Sequence, residues 1–239
     1  MAAQLDAQEF LSQWDRDIDD PKTDKHQLYA ALMQRADGSL AVSWRLAKAA
    51  LIMSDLKEAE GAPKDAVKGV VQEAVAHARR ALEAAPRALE ANKWYCAAVG
   101  RIAPFVGTKE RIQFGHEFKK HADVAREVDP NDRLLHHMYG RWCYEVAGLS
   151  WMERKIAATF FDAPPESSYK EALSALLKAD ELRHDWIGNQ LWISKTLIAD
   201  KRVDEAKKWM AGALELTPVT EEDNLSRREL VALHHKHSK

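Results

Sequence analysis

Ala74-Val75-Ala76-His77-Ala78-Arg79-Arg80-Ala81-Leu82-Glu83-Ala84-Ala85-Pro86 is the stretch on which the reading of the fold turns. Ala74, Ala78 and Ala81 stand four and then three residues apart, which puts them on one stripe of an α-helix. Pro86 follows five residues after Ala81 and ends that helix, because proline lacks the N–H a further turn would need. The spacing returns at Phe118, Ala122, Ala125 and Pro130, and again at Ala206, Met210, Ala213 and Pro218. Ala172, Leu176, Ala179 and His184 follow it without the proline. One such helix is ordinary, but four in register indicate an array of helical repeats, and arrays of this kind mostly serve as binding surfaces.

Composition agrees with an all-α chain. The 239 residues are 46% hydrophobic and 30% charged, with only 10 glycines, and no strand-like alternation stands out. This length can bury one substantial core or one continuous solenoid core. The net charge of −2 argues against a general nucleic-acid binder. No apolar run approaches the roughly 18 residues of a membrane span, and the acidic N-terminus from Met1 to Asp20 has no signal-peptide core, so no membrane anchor is expected. Cys96 and Cys143, both in apolar helical stretches, read as buried free thiols in a reducing compartment.

Outward from the stripes, the chain divides into a short N-terminal part, residues 1–23, and one repeat domain, residues 24–239. A short amphipathic helix from Gln4 to Trp14 is broken by Asp19, Asp20 and Pro21. A second helix starts near Asp24 and ends before Gly38, and Ser39 caps the next. Residues 59–63 are a loop, and the first striped helix runs from about Lys64 to Ala85. Beyond Trp94, Tyr95 and Val99 the chain breaks near Pro104 to Thr108 and resumes as helix from Phe114 to Val128. A long helix from about Arg133 to Ala147 bends at Gly148 and Ser150. An insertion, about 150–165, then holds an amphipathic helix from Trp151 to Phe161, closed by Pro164 and Pro165. Its Trp151, Ile156, Phe160 and Phe161 make it a brace packed against the third pair or, alternatively, a lid over a groove. Helices from about Tyr169 to Arg183, Trp186 to Ala199 and Val203 to Leu216 precede a capping helix at about 221–235.

Each first helix of a pair carries a small residue followed by a base: Ala47-Lys48, Gly100-Arg101, Gly140-Arg141 and Ser194-Lys195. The small residue lets two helices approach closely. Trp44, Trp94, Trp142 and Trp192 recur near it, which packing between successive pairs explains. Together with the A-x3-[A/F]-x2-A-x4-P stripe, this resembles the tetratricopeptide repeat, whose 34-residue period puts twelve residues between the small position and the stripe. Ser194 to Ala206 has that spacing; Gly100 to Phe118, Ala47 to Ala74 and Gly140 to Ala172 are stretched to 18, 27 and 32. The resemblance implies a right-handed superhelical array of antiparallel helix pairs.

Three segments narrow it: Arg111-Ile112-Gln113 with Phe118-Lys119, Gly140-Arg141-Trp142-Cys143-Tyr144 with Leu149-Ser150-Trp151, and Lys178-Ala179-Asp180-Glu181-Leu182. With Trp44-Arg45-Leu46-Ala47 they resemble the regulator-of-microtubule-dynamics family from about residue 25 onward. That resemblance implies a cytoplasmic protein of the cytoskeleton and spindle that associates with microtubules and supports chromosome segregation. A mitochondrion-anchored member of the family tethers organelles and binds phospholipid, and the soluble spindle-type role fits this chain better. It also implies that the residue after each small position points into a concave groove, so that Lys48, Arg101, Arg141 and Lys195 form a basic ladder. His137 and Tyr144, one turn either side of Arg141, join it by their spacing. Such a groove attracts carboxylates or phosphates. Microtubules, tubulin tails or spindle proteins are the expected partners, with acidic peptide C-termini and phospholipid head groups as alternatives. No Gly-rich phosphate loop, H-E-x-x-H helix or G-x-S-x-G elbow is present, so neither an enzyme nor a cofactor is expected. His136-His137 and His234-His235-Lys236-His237 lack a third ligand at metal spacing. The aromatic neighbours of Cys143 suggest an apolar pocket that raises its pKa.

Overall fold

The computed structural model describes residues 2–160 and 166–237, and all regular structure among them is helical. The chain falls into two compact units, residues 1–102 and 103–239.

The first unit holds α1 (Ala2–Asp19), α2 (Lys25–Met33), α3 (Leu40–Ala59), α4 (Lys64–Ala84) and α5 (Leu89–Ile102). Side-chain caps set the starts of α2 and α3. The Asp24 carboxylate accepts from the N–H groups of His26 and Gln27, and the Ser39 hydroxyl from that of Val42, so orphan donors of α2 and α3 are satisfied. Gly61 follows the C-cap of α3 and Gly38 precedes the Ser39 cap, both at φ +75°, a conformation that suits glycine. The helix expected to end at Trp14 continues to Asp19, and its Trp14 and Ile18 are buried with Leu32, Val42, Leu46 and Ala49. The Trp14 indole N–H donates to the Leu28 carbonyl at 3.3 Å. This short helix therefore belongs to the core of the unit. Each large apolar side chain buried there contributes about 1.5–3 kcal/mol.

The second unit opens with a 3-10 turn, Ala103–Phe105, followed by α6 (Thr108–Val128), α7 (Arg133–Ala147), α8 (Trp151–Phe160), α9 (Tyr169–Leu182), α10 (Ile187–Ala199), α11 (Val203–Glu215) and α12 (Glu221–His237). Helix α6 begins at Thr108, a full turn and more before the expected Phe114, because the break at Pro104 to Gly107 is short. Asp132 caps α7, Ser168 caps α9, and Thr220 with Asp223 caps α12 by reciprocal hydrogen bonds. Leu173, Leu176, Leu191, Ile193, Leu197, Met210 and Leu230 form one apolar cluster, which Leu230 of α12 seals.

Every residue of the four stripes is buried: Ala74, Ala78 and Ala81 on α4, Phe118, Ala122 and Ala125 on α6, Ala172, Leu176 and Ala179 on α9, and Ala206, Met210 and Ala213 on α11. The small positions divide. A Cβ on Gly140 would lie 2.6 Å from Leu176 Cγ and 3.0 Å from the Ala172 carbonyl oxygen, so the approach of α7 and α9 requires glycine. Ala47 and Ser194 are fully buried, and the Ser194 hydroxyl donates to the Gln190 carbonyl. Gly100 departs from the expectation: a Cβ there meets nothing within 4 Å.

Helix α8 braces α6. Ala157 is buried, Glu153 receives Arg111 of α6, and Arg154 donates to the Val146 carbonyl at the end of α7. Its large side chains were expected to make these contacts, yet Trp151 and Phe160 are 71% and 53% exposed and the small Ala157 faces inward. Phe161, Pro164 and Pro165 lie outside the described residues.

Candidate partner-binding surface

The four expected bases lie two in each unit. In the first, Lys48 on α3 donates to Asp19 at 2.7 Å, and its ammonium stands 5.7 Å from the centre of the Trp94 ring. Trp94 stacks on Trp44, with centroids 6.3 Å apart, so the recurring tryptophans of α3 and α5 do pack the two helices together. Arg101 on α5 donates to Ser54 Oγ at 3.3 Å, to Asp55 at 3.1 Å and to Glu58. Arg45, one turn before Lys48, holds Asp15 through both ends of its guanidinium.

In the second unit Arg141 and Lys195 come together on one ring. The Arg141 guanidinium lies 4.5 Å and the Lys195 ammonium 4.3 Å from the centre of Trp192. The quadrupole of the indole face attracts both cations. Lys195 also donates to Glu229 of α12 at 2.6 Å. Tyr144 stands edge-on to Trp192 at 5.4 Å and against Tyr169 at 5.5 Å, and burial raises its phenol pKa. Tyr144, Trp192, Lys195, Ile198, Leu233 and Lys236 line a cleft of about 370 Å³.

His137 does not face this surface. It is 2% exposed, with Nδ1 2.9 Å from Asn189 Oδ1 and its ring 4.3 Å from that of Trp186. Asn189 spends its amide N–H on the Leu176 carbonyl, so its oxygen accepts and His137 Nδ1 carries the proton. Burial, with Arg141 adding to it, pushes the pKa of His137 down to about 3. The four-residue spacing does set His137 beside Arg141, but Asn189 and Trp186 pack onto the imidazole and take it out of reach of a partner.

Cys96 and Cys143 are free and buried. Burial pushes the Cys143 thiol up to about 11, so it is not a nucleophile near neutral pH. Among the described residues no group of three His, Cys, Asp or Glu could hold a metal ion, and no helix is long and apolar enough to cross a membrane.

The carboxylates that meet the bases were not foreseen. Glu58 lies 43 residues from Arg101 in sequence, and Glu229 belongs to the capping helix, so no local spacing ties either to its base. The recurrence of Trp192 points to packing alone, whereas this residue also gathers two cations. The signal available was Trp192 three residues before Lys195, one helical turn away.

The chain matches the family model described as regulator of microtubule dynamics protein 1-3 over residues 10–238. It is 37% identical over 232 residues to regulator of microtubule dynamics protein 3 of Mus musculus, covering 95% of this chain and 48% of that protein. To regulator of microtubule dynamics protein 1 of Bos taurus it is 32% identical over 231 residues, covering 96% of this chain and 71% of that protein. It thus spans about half the length of the protein 3 relative. Its backbone is similar to a thermophilic TPR protein of Thermus thermophilus, with a TM-score of 0.56, 17% identity and 87% of each chain covered. The fold is accordingly an all-α, tetratricopeptide-like array of helix pairs, and the chain belongs to the regulator of microtubule dynamics family.

Proposed function

We propose that the chain is a non-enzymatic scaffold of the cytoplasm and spindle that associates with microtubules and supports chromosome segregation. It does so by receiving acidic segments of its partners on Lys48 and Arg101 in one unit and on Arg141 and Lys195 in the other. The observation that carries this reading is the way three of these bases already hold carboxylates: Lys48 holds Asp19, Arg101 holds Asp55 and Glu58, and Lys195 holds Glu229. Asp19, Glu58 and Glu229 are the solvent-accessible ends of their pairs, so a partner that offers several carboxylates at once can exchange for them. Lys48 and Lys195 lie beside Trp94 and Trp192, which supply apolar contact next to the charge.

The test is co-sedimentation with intact microtubules and with microtubules whose acidic tails have been removed by protease. Pelleting with the intact polymer and loss with the trimmed polymer is the expected result. Equal pelleting with both would place the contact on the tubulin body and overturn the acidic-segment reading.

A further inference from the structure

We infer that the cleft beside Trp192 takes an apolar side chain of an acidic peptide, and that Glu229 of α12 is a built-in competitor for that peptide's carboxylate at Lys195. This rests on the reading above that the bases of the second unit receive acidic segments.

Three observations lead to it. First, the cleft of about 370 Å³ is mixed in character: Tyr144, Trp192, Ile198 and Leu233 give it apolar walls, while Lys195 and Lys236 stand at its surface. That volume lies at the small end of the range of ligand clefts, about 300–1,000 Å³. Second, the anion position at Lys195 is already defined by Glu229, so a peptide carboxylate that displaces Glu229 leaves the charge at Lys195 matched and frees Glu229 to water. Third, the two ends of the Lys195–Glu229 pair are unequal. The Lys195 side chain is 18% exposed, held on Trp192, while that of Glu229 is 54% exposed. The cation is fixed and the carboxylate is the exchangeable partner. Helix α12 also supplies Leu233 and Lys236 to the cleft, so the same helix seals the array, forms one wall and occupies the anion position.

An all-acidic segment would satisfy Lys195 and leave the apolar walls in water. An apolar segment would leave Glu229 in place. The occupant that uses both features is an acidic peptide with an aromatic or aliphatic residue among its carboxylates.

Three pentapeptide probes, each with a fluorophore on its N-terminal amine and an amidated C-terminus, test this by fluorescence anisotropy at low salt: Glu-Glu-Phe-Glu-Glu, its counterpart with glycine for phenylalanine, and its counterpart with lysine for glutamate. Glu229→Gln should tighten the phenylalanine peptide about three- to tenfold, and Lys236→Glu should weaken it by a similar factor. The glycine peptide should bind several-fold more weakly than the phenylalanine peptide, and the lysine peptide not at all. Both substituted residues are exposed on α12, so the fold is retained, which circular dichroism verifies. Unchanged or weaker binding by Glu229→Gln overturns the competitor role, and equal binding of the phenylalanine and glycine peptides overturns the apolar seat. No binding by any probe overturns both. Microtubule co-sedimentation of the same proteins separates the two levels: pelleting without peptide binding rejects this inference alone, and absence of both rejects the function on which it rests.

Discussion

Gly140 and Gly100 occupy equivalent places in the sequence pattern and different places in the packing. A methyl group on Gly140 collides with Leu176 and with the Ala172 carbonyl, so Gly140→Ala should destabilise by about 1–3 kcal/mol. Gly100 has open space around it and lies within α5, so Gly100→Ala should stabilise by up to about 1 kcal/mol through the unfolded chain and helix propensity. Urea unfolding of both variants checks the pair; equal effects would remove the distinction. His137 makes a second prediction at this scale. Folding holds it neutral down to about pH 3, whereas the unfolded chain takes up a proton near 6.5. Between those values the unfolded state binds more protons, so stability falls as pH falls, at up to about 1.4 kcal/mol per pH unit from this residue. His77, His116 and His121 have pKa values lowered by burial too and share in the slope. His137→Gln should therefore flatten the loss of stability between pH 7 and pH 5 without abolishing it. An unchanged slope would mean that His137 is not held neutral.

The helices were legible in the sequence wherever their cause is local. Ala74, Ala78, Ala81 and Pro86 specify a stripe and a stop within thirteen residues, and Asp24, Ser39 and Asp132 announce the starts they cap. What could not be read was which position of a helix face a neighbouring element covers, as Asn189 and Trp186 cover His137, and which distant carboxylate meets which base. The ladder as a spacing pattern was visible; its neutralisation by Asp19, Asp55, Glu58 and Glu229 depends on tertiary packing. Helix α8 shows the same division. Its outward aromatics could be listed from sequence, but its attachment comes from Glu153, which accepts from the Ser150 N–H at 2.8 Å and hydroxyl at 2.7 Å and also receives Arg111. The Ser150 hydrogen bonds, with Arg111 adding less, hold the Glu153 carboxyl below the usual carboxylate range. Glu153→Ala removes the carboxylate half of the capping box and the link to α6 together, at a cost of about 1 kcal/mol, while the Ser150 hydroxyl still accepts from the N–H of residue 153. Amide exchange should accelerate within α8 and stay unchanged in α9 to α11. Unchanged protection in α8 would show that Ala157 and Arg154 seat it without Glu153.

For the whole molecule the claim is electrostatic: four bases distributed over two units recognise acidic segments. Charge reversal is a poor probe of it. Arg101→Glu would set a third carboxylate beside Asp55 and Glu58, and Lys195→Glu would face Glu229, so lost binding and lost structure would be confounded. Neutral replacements add no carboxylate and leave the exposed Asp19, Glu58 and Glu229 to water. The direct measurement is microtubule co-sedimentation of the wild type and of a Lys48→Gln, Arg101→Gln, Arg141→Gln, Lys195→Gln variant, at low and at physiological salt, with folding verified by circular dichroism. Exposed charges are screened over about 8 Å at physiological ionic strength, so wild-type pelleting should weaken as salt rises. The folded variant should pellet poorly at both concentrations. Pelleting by the variant equal to that of the wild type, or wild-type pelleting indifferent to salt, would contradict the account.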